Sequence, residues 1–144
     1  MPLERTPAQR PSQQKAKLKM IVGLGVDITE VPRIAASIER FGDRFLRRIF
    51  TDAEIRYCET KANRIERFAA RFAAKEAALK ALGTGWRRGI AWRDVEVTRE
   101  LSGKPKMAFH GKAAEFATKL GVKRAHVSLT HTEQTAMAQV ILED

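Results

Sequence analysis

Arg71-Phe72-Ala73-Ala74-Lys75-Glu76-Ala77-Ala78-Leu79-Lys80-Ala81-Leu82-Gly83-Thr84-Gly85 is the stretch on which the reading of this chain turns. It continues a helical pattern from Asn63, a good N-cap with Glu66 three residues on as in a capping box. Gly83 is the residue type expected just past a helix end. At roughly 100° per residue, Ile65, Phe68, Ala69, Phe72, Ala73 and Leu79 fall on one apolar stripe, and Glu76 falls in it too. A carboxylate on a buried face is costly unless something pairs with it. Glu76 either bends to the rim and pairs with Arg71 or Lys80, or it is aimed into a cleft where it holds a cation or moves a proton.

The rest of the chain weighs on that choice. Its 144 residues are enough for one domain with a real core, and 44% hydrophobic with 31% charged residues describes a globular protein. No apolar run is long enough for a transmembrane helix, and the start lacks the apolar region of a secretory signal. A single cysteine, Cys58, rules out an internal disulfide and fits a reducing, cytoplasmic compartment. The net charge of +10 points to an anionic partner. Residues 1–19, with three prolines and five cations against Glu4, carry +4 of it and read as a disordered extension; the other +6 lies on the domain of residues 20–144.

Residues 21–28 alternate as a strand. Val22, Leu24, Val26 and Ile28 are expected to face the core. Gly23, Gly25 and Asp27 share the other face, where glycines are tolerated if something approaches the backbone closely. Asp27 or Thr29 could also simply cap the following helix. Helices are expected from Glu30 to Phe41, from Asp43 to Ile49, and from the Thr51-x-x-Glu54 capping box to Lys61. Arg33, Arg40, Arg44, Arg47 and Arg48, interleaved with Ile38, Phe45 and Phe50, make the candidate surface for an acidic macromolecule; each arginine alone reads equally as a solvated helix face.

After Gly85 the period changes to that of strands. Short strands are expected at residues 90–92 and 95–97, then a turn at Leu101-Ser102-Gly103-Lys104-Pro105 and a strand from Lys106 to His110. A helix from Gly111 to Leu120 precedes two final strands, Ala125 to His131 and Thr135 to Leu142. His126, Ser128 and Thr130 face opposite to Val127 and Leu129, and His131, pointing away from His126, reads as closing its strand.

Asp27 and Glu76 together suit a hard divalent cation, since Mg²⁺ usually takes one or two carboxylates along with water and phosphates. Arg71, Lys75, Lys80 and His126 suit phosphate oxygens, and Gly83-Thr84-Gly85 offers backbone N–H groups and a hydroxyl. There is neither a P-loop nor a dinucleotide fingerprint. The residues alone reach "anion-handling, Mg²⁺-dependent" and leave open a basic nucleic-acid-binding module or a phosphotransferase using another nucleotide.

Gly23-Leu24-Gly25-Val26-Asp27-Ile28-Thr29-Glu30, residues 71–85, Gly103-Lys104-Pro105 and His126-Val127-Ser128-Leu129-Thr130-His131 closely resemble, in order and spacing, the small trimeric 4′-phosphopantetheinyl transferases of bacteria, the holo-[acyl-carrier-protein] synthase family. The resemblance implies an α+β fold, one domain with an antiparallel sheet packed against a long central helix, assembling as a homotrimer with coenzyme A at subunit interfaces. It implies Mg²⁺ on Asp27 and Glu76, and coenzyme A phosphates on Arg71, Lys80, Gly83, Thr84 and His126. It implies transfer of the 4′-phosphopantetheine arm of coenzyme A to a serine of apo-acyl-carrier protein, whose proton would go to a water on the metal, to Glu76 or to Lys75, so that Asp27, Glu76 and Lys75 are the candidate catalytic residues. Arg33, Arg40, Arg44 and Phe45 would dock an acidic acyl-carrier protein. Neither a nucleic-acid nor a membrane partner is implied.

Overall fold

A computed structural model describes residues 20–86 and 88–144. The expectation for residues 1–19 lies outside the described residues. In chain order the elements are β1 (Ile21–Glu30), α1 (Val31–Phe41), α2 (Asp43–Ile49), α3 (Asp52–Glu59), α4 (Arg64–Leu82), a 3₁₀ turn (Trp92–Asp94), β2 (Val95–Arg99), β3 (Pro105–Phe109), α5 (Gly111–Leu120), β4 (Arg124–His131) and β5 (Thr135–Glu143). The strands form two antiparallel sheets, β1-β5-β4 and β2-β3, so the fold is α+β as expected. Residues 90–92 do not form the expected strand; Ile90 is buried and the chain closes into the 3₁₀ turn, with Asp94 Oδ2 accepting from the Ala91 N–H at 3.0 Å.

α4 runs 19 residues and packs on β1 and β5 with one side and on α1, α3 and β2 with others. It is therefore buried over most of its circumference rather than along one stripe. Its alanines, 73, 74, 77, 78 and 81, are all in the core and let the sheet come close. Gly83 adopts φ 75° and closes the helix; its N–H bonds Lys80 O at 3.0 Å and that of Thr84 bonds Leu79 O at 3.2 Å. At the other end the capping box is not made. Asn63 Nδ2 donates to the Glu66 side chain at 3.2 Å, and Asn63 Oδ1 accepts from Arg67 at 3.1 Å. The box at Thr51 and Glu54 does form.

The alternation of β1 is as expected, but its facing is reversed beyond the register shift at Ile21–Gly23; Val22 there packs against the core as expected. Leu24, Val26 and Ile28 are 59%, 51% and 63% exposed, and the glycine face lies against α4. A Cβ on Gly25 would stand 1.8 Å from Ala77 O, and one on Gly23 would stand 2.2 Å from Ala81 O. Only a strand face without side chains fits that close to a helix backbone, so the contact forces the apolar face outward. Across the sheet the exposed face reads in rows, with Leu24 beside Ile141, Val26 beside Gln139 and Ile28 beside Met137. No helix among the described residues is long and apolar enough to cross a membrane.

Candidate active site

Because the glycines let β1 lie on α4, the next residue on the same face of the strand, Asp27, comes against the C-terminal half of the helix. Its side chain is only 10% exposed. Lys80 Nζ donates to Asp27 Oδ1 at 2.7 Å and to Val26 O at 3.1 Å. Asp27 Oδ2 is buried and has no hydrogen-bond partner. Glu76, one turn before Lys80 on α4, meets the same carboxylate. Burial first, then the adjacent Asp27 carboxylate, push its carboxyl up to about 7, against the pull of Arg33 and Lys80. Two carboxylates side by side, one with a buried oxygen that no protein group bonds, form a donor set that suits Mg²⁺ with its remaining positions on water or phosphate. Glu76 thus turns to the Asp27 carboxylate of β1 rather than to Arg71.

Lys80 and Thr84 share this end of α4. The Thr84 hydroxyl is buried without a hydrogen-bond partner. The backbone N–H groups of Gly83 and Thr84 are not available, since both are used in closing the helix. Arg33 belongs to the site's margin through its effect on Glu76.

Lys75 is not brought to the site. It is fully buried on another side of α4, 2.7 Å from Glu54 Oε1, and it donates to the carbonyls of Trp92 (3.3 Å) and Val95. Glu54 also accepts from the N–H of Thr51 and of Val97. A side chain so enclosed cannot reach a substrate serine, which removes Lys75 from the candidate bases. Its role is to tie α4 to α3 and β2.

Arg71 lies in a different place again. It is 4% exposed, with its Nε unpartnered, and it lines a cavity of about 190 Å³ with Tyr57, Arg67, Arg99, Pro105 and His131. His126 is not there. It sits on the outward face of β4, 3.0 Å from Glu143 Oε1, and borders a separate basic groove with Lys104. The opposite facing of the two histidines was legible in the sequence; that facing inward would put His131 beside Arg71 was not. His131 Nδ1 lies 3.0 Å from Glu66 Oε2, out of line for a good hydrogen bond. Tyr57, Arg67 and Arg99 went unread because nothing local distinguishes them, and only packing gathers them.

On α1 and α2, Arg40 and Arg44 are exposed, and Arg40 stands over the Phe41 ring at 5.0 Å. Arg44, Phe45, Phe41 and Arg48 enclose a shallow cavity of about 250 Å³. A basic rim around apolar walls is suited to an acidic protein partner.

The sequence profile of the 4′-phosphopantetheinyl transferase superfamily matches residues 23–139. A holo-[acyl-carrier-protein] synthase of Koribacter versatilis is 69% identical over 125 residues, 87% of this chain and all of the relative. Among solved structures, the holo-[acyl-carrier-protein] synthase of Neisseria meningitidis superposes with a TM-score of 0.78 at 35% identity, covering 87% of this chain and all of the other. That of Bacillus anthracis, in complex with CoA (3′,5′-ADP), superposes with a TM-score of 0.70 at 35% identity, covering 87% and 98%. With the profile spanning most of the domain and a full-length relative this similar, the chain belongs to the 4′-phosphopantetheinyl transferase superfamily.

Proposed function

We propose that this protein transfers the 4′-phosphopantetheine arm of coenzyme A to a serine of an apo-acyl-carrier protein, releasing adenosine 3′,5′-bisphosphate, as a cytoplasmic enzyme of fatty acid biosynthesis. The observation that carries the reading is the pairing of Asp27 with Glu76 at the seam of β1 and α4, in a chain whose full-length relatives are named for this reaction. Asp27 and Glu76 would hold Mg²⁺, which would neutralise charge on the pyrophosphate as it leaves. Lys80 and the Thr84 hydroxyl would orient the pyrophosphate oxygens. Of the chain's own candidates for taking the serine proton, Lys75 is enclosed against Glu54, which leaves Glu76 beside a water on the metal. Arg33, Arg40, Arg44 and Phe45 would dock the acidic carrier protein.

The cation-lined cavity of Arg71 and His131 suits the phosphorylated nucleotide end of coenzyme A. Arg71 and Glu76 point roughly 140° apart around α4, so one chain offers two half-sites facing different ways. The exposed apolar rows of Leu24, Val26, Ile28 and Met137 call for cover. Both observations support an oligomer, the homotrimer that the resemblance implies, in which each site would join the carboxylate pair of one chain to the cavity of its neighbour.

The test is mass spectrometry of an apo-acyl-carrier protein incubated with this protein and coenzyme A. A gain of one phosphopantetheine mass with Mg²⁺, absent with EDTA, is the expected result. Transfer unaffected by EDTA would overturn the metal assignment, and no gain on several carrier proteins would overturn the reaction.

A further inference from the structure

Three arginines converge on the Tyr57 side chain. The guanidinium carbons of Arg71 and Arg99 each stand 4.2 Å from the centre of its ring, and Arg67 Nη1 donates to its hydroxyl at 3.2 Å. All three line the cavity that also holds His131. None of the three pairs with a carboxylate among the described residues. Like charges gathered this closely repel unless something between them is attractive to both, and an aromatic face is attractive to a cation within about 6 Å of its centroid. The tyrosine supplies that attraction without neutralising the arginines, so their charge stays available to a ligand. Arg71, largely shielded from water and with its Nε unpartnered, cannot be oriented by solvent instead.

We propose that Tyr57 is a positioning residue, whose ring aligns Arg71 and Arg99, with Arg67 on its hydroxyl, and thereby sets the preference for a coenzyme A that carries its 3′-phosphate. This rests on the proposed reaction. The three arginines come from α4 and from β2, and Tyr57 from α3, so this one side chain from a third element touches all of them. Removing it frees the cations to separate without removing any charge.

The experiment compares Tyr57→Leu, Tyr57→Phe and the unaltered protein in transfer from coenzyme A and from 3′-dephospho-coenzyme A. Tyr57→Leu is expected to raise KM for coenzyme A roughly tenfold, with kcat and the KM for the dephospho donor unchanged. Tyr57→Phe, which keeps the ring, is expected to restore most of the preference. Equal changes for both donors, or none, would overturn the proposal. Should Tyr57→Leu fail to fold, Arg99→Leu, which removes one arm of the clamp from the edge of β2, is expected to show the same loss of preference, and unchanged preference there would overturn it. Calorimetric binding of adenosine 3′,5′-bisphosphate against adenosine 5′-monophosphate separates this idea from the reaction itself. If the unaltered protein transfers nothing yet binds the bisphosphate more tightly, and Tyr57→Leu erases the difference, the reaction fails and the positioning role stands; no difference in the unaltered protein would overturn the role.

Discussion

Gly25 lies against Ala77 so closely that a Cβ on the glycine would stand 1.8 Å from the alanine's carbonyl oxygen. This contact is what brings Asp27 of β1 and Glu76 of α4 together. Gly25→Ala must therefore push the strand off the helix. The expected cost is about 3 kcal/mol of stability, the upper part of the range for overpacking, with loss of any activity that depends on the carboxylate pair. Urea denaturation reads the first effect; a variant as stable as the unaltered protein would show that the seam yields without strain.

The raised Glu76 carboxyl has a signed consequence for metal-free protein. A folded-state value of about 7, above that of an ordinary carboxylate, means the native state holds a proton more tightly than the unfolded chain. The stabilisation from this group is full below the unfolded value and declines as pH rises toward and through about 7. In EDTA, Glu76→Gln should flatten the fall in melting temperature between about pH 4.5 and 7. An unchanged slope would mean that burial and Asp27 do not raise the Glu76 carboxyl in solution.

Lys75 and Glu54 form a fully enclosed pair. Removing one partner leaves a buried charge, so Lys75→Met should cost about 3–5 kcal/mol. The measurement is chemical denaturation, set beside turnover of whatever fraction remains folded. Large loss of turnover at undiminished stability would return Lys75 to the chemistry.

Arg33, proposed for the docking face, also lowers the Glu76 carboxyl, so its substitution would mix two effects. Arg44 is the cleaner probe of docking. Arg44→Glu should raise KM for carrier protein at least tenfold, by charge reversal beside an acidic partner, and leave that for coenzyme A within about twofold. Equal effects on both substrates would argue against α1 and α2 as the docking face.

Ile28 is 63% exposed in a row with Met137. Ile28→Lys should leave the fold of the chain intact and convert an oligomer to monomer in sedimentation analysis, with loss of transfer because the half-sites no longer meet. A monomeric variant with full activity would overturn the shared site.

Much of this was legible in local pattern. The bounds of α4, the chain stop at Gly83, the cap at Thr51, the pairing of the last two strands and the suspicion attached to Glu76 all follow from short-range rules, since capping, glycine geometry and periodicity act within a few residues. Asp27 and Glu76 could be named because their residue types were out of place in their elements. The tertiary structure decided which face of β1 is inside, because an alternating strand fixes that two faces differ but not which of them a helix will cover. It also decided that Lys75, beside Glu76 in the chain, turns to Glu54. One residue along a helix is roughly 100° of rotation, enough to move a cation from a ligand site to a core. And it alone joined Arg71 to His131, Tyr57, Arg67 and Arg99, a cluster drawn from separate elements whose meeting depends on packing that no window of sequence contains.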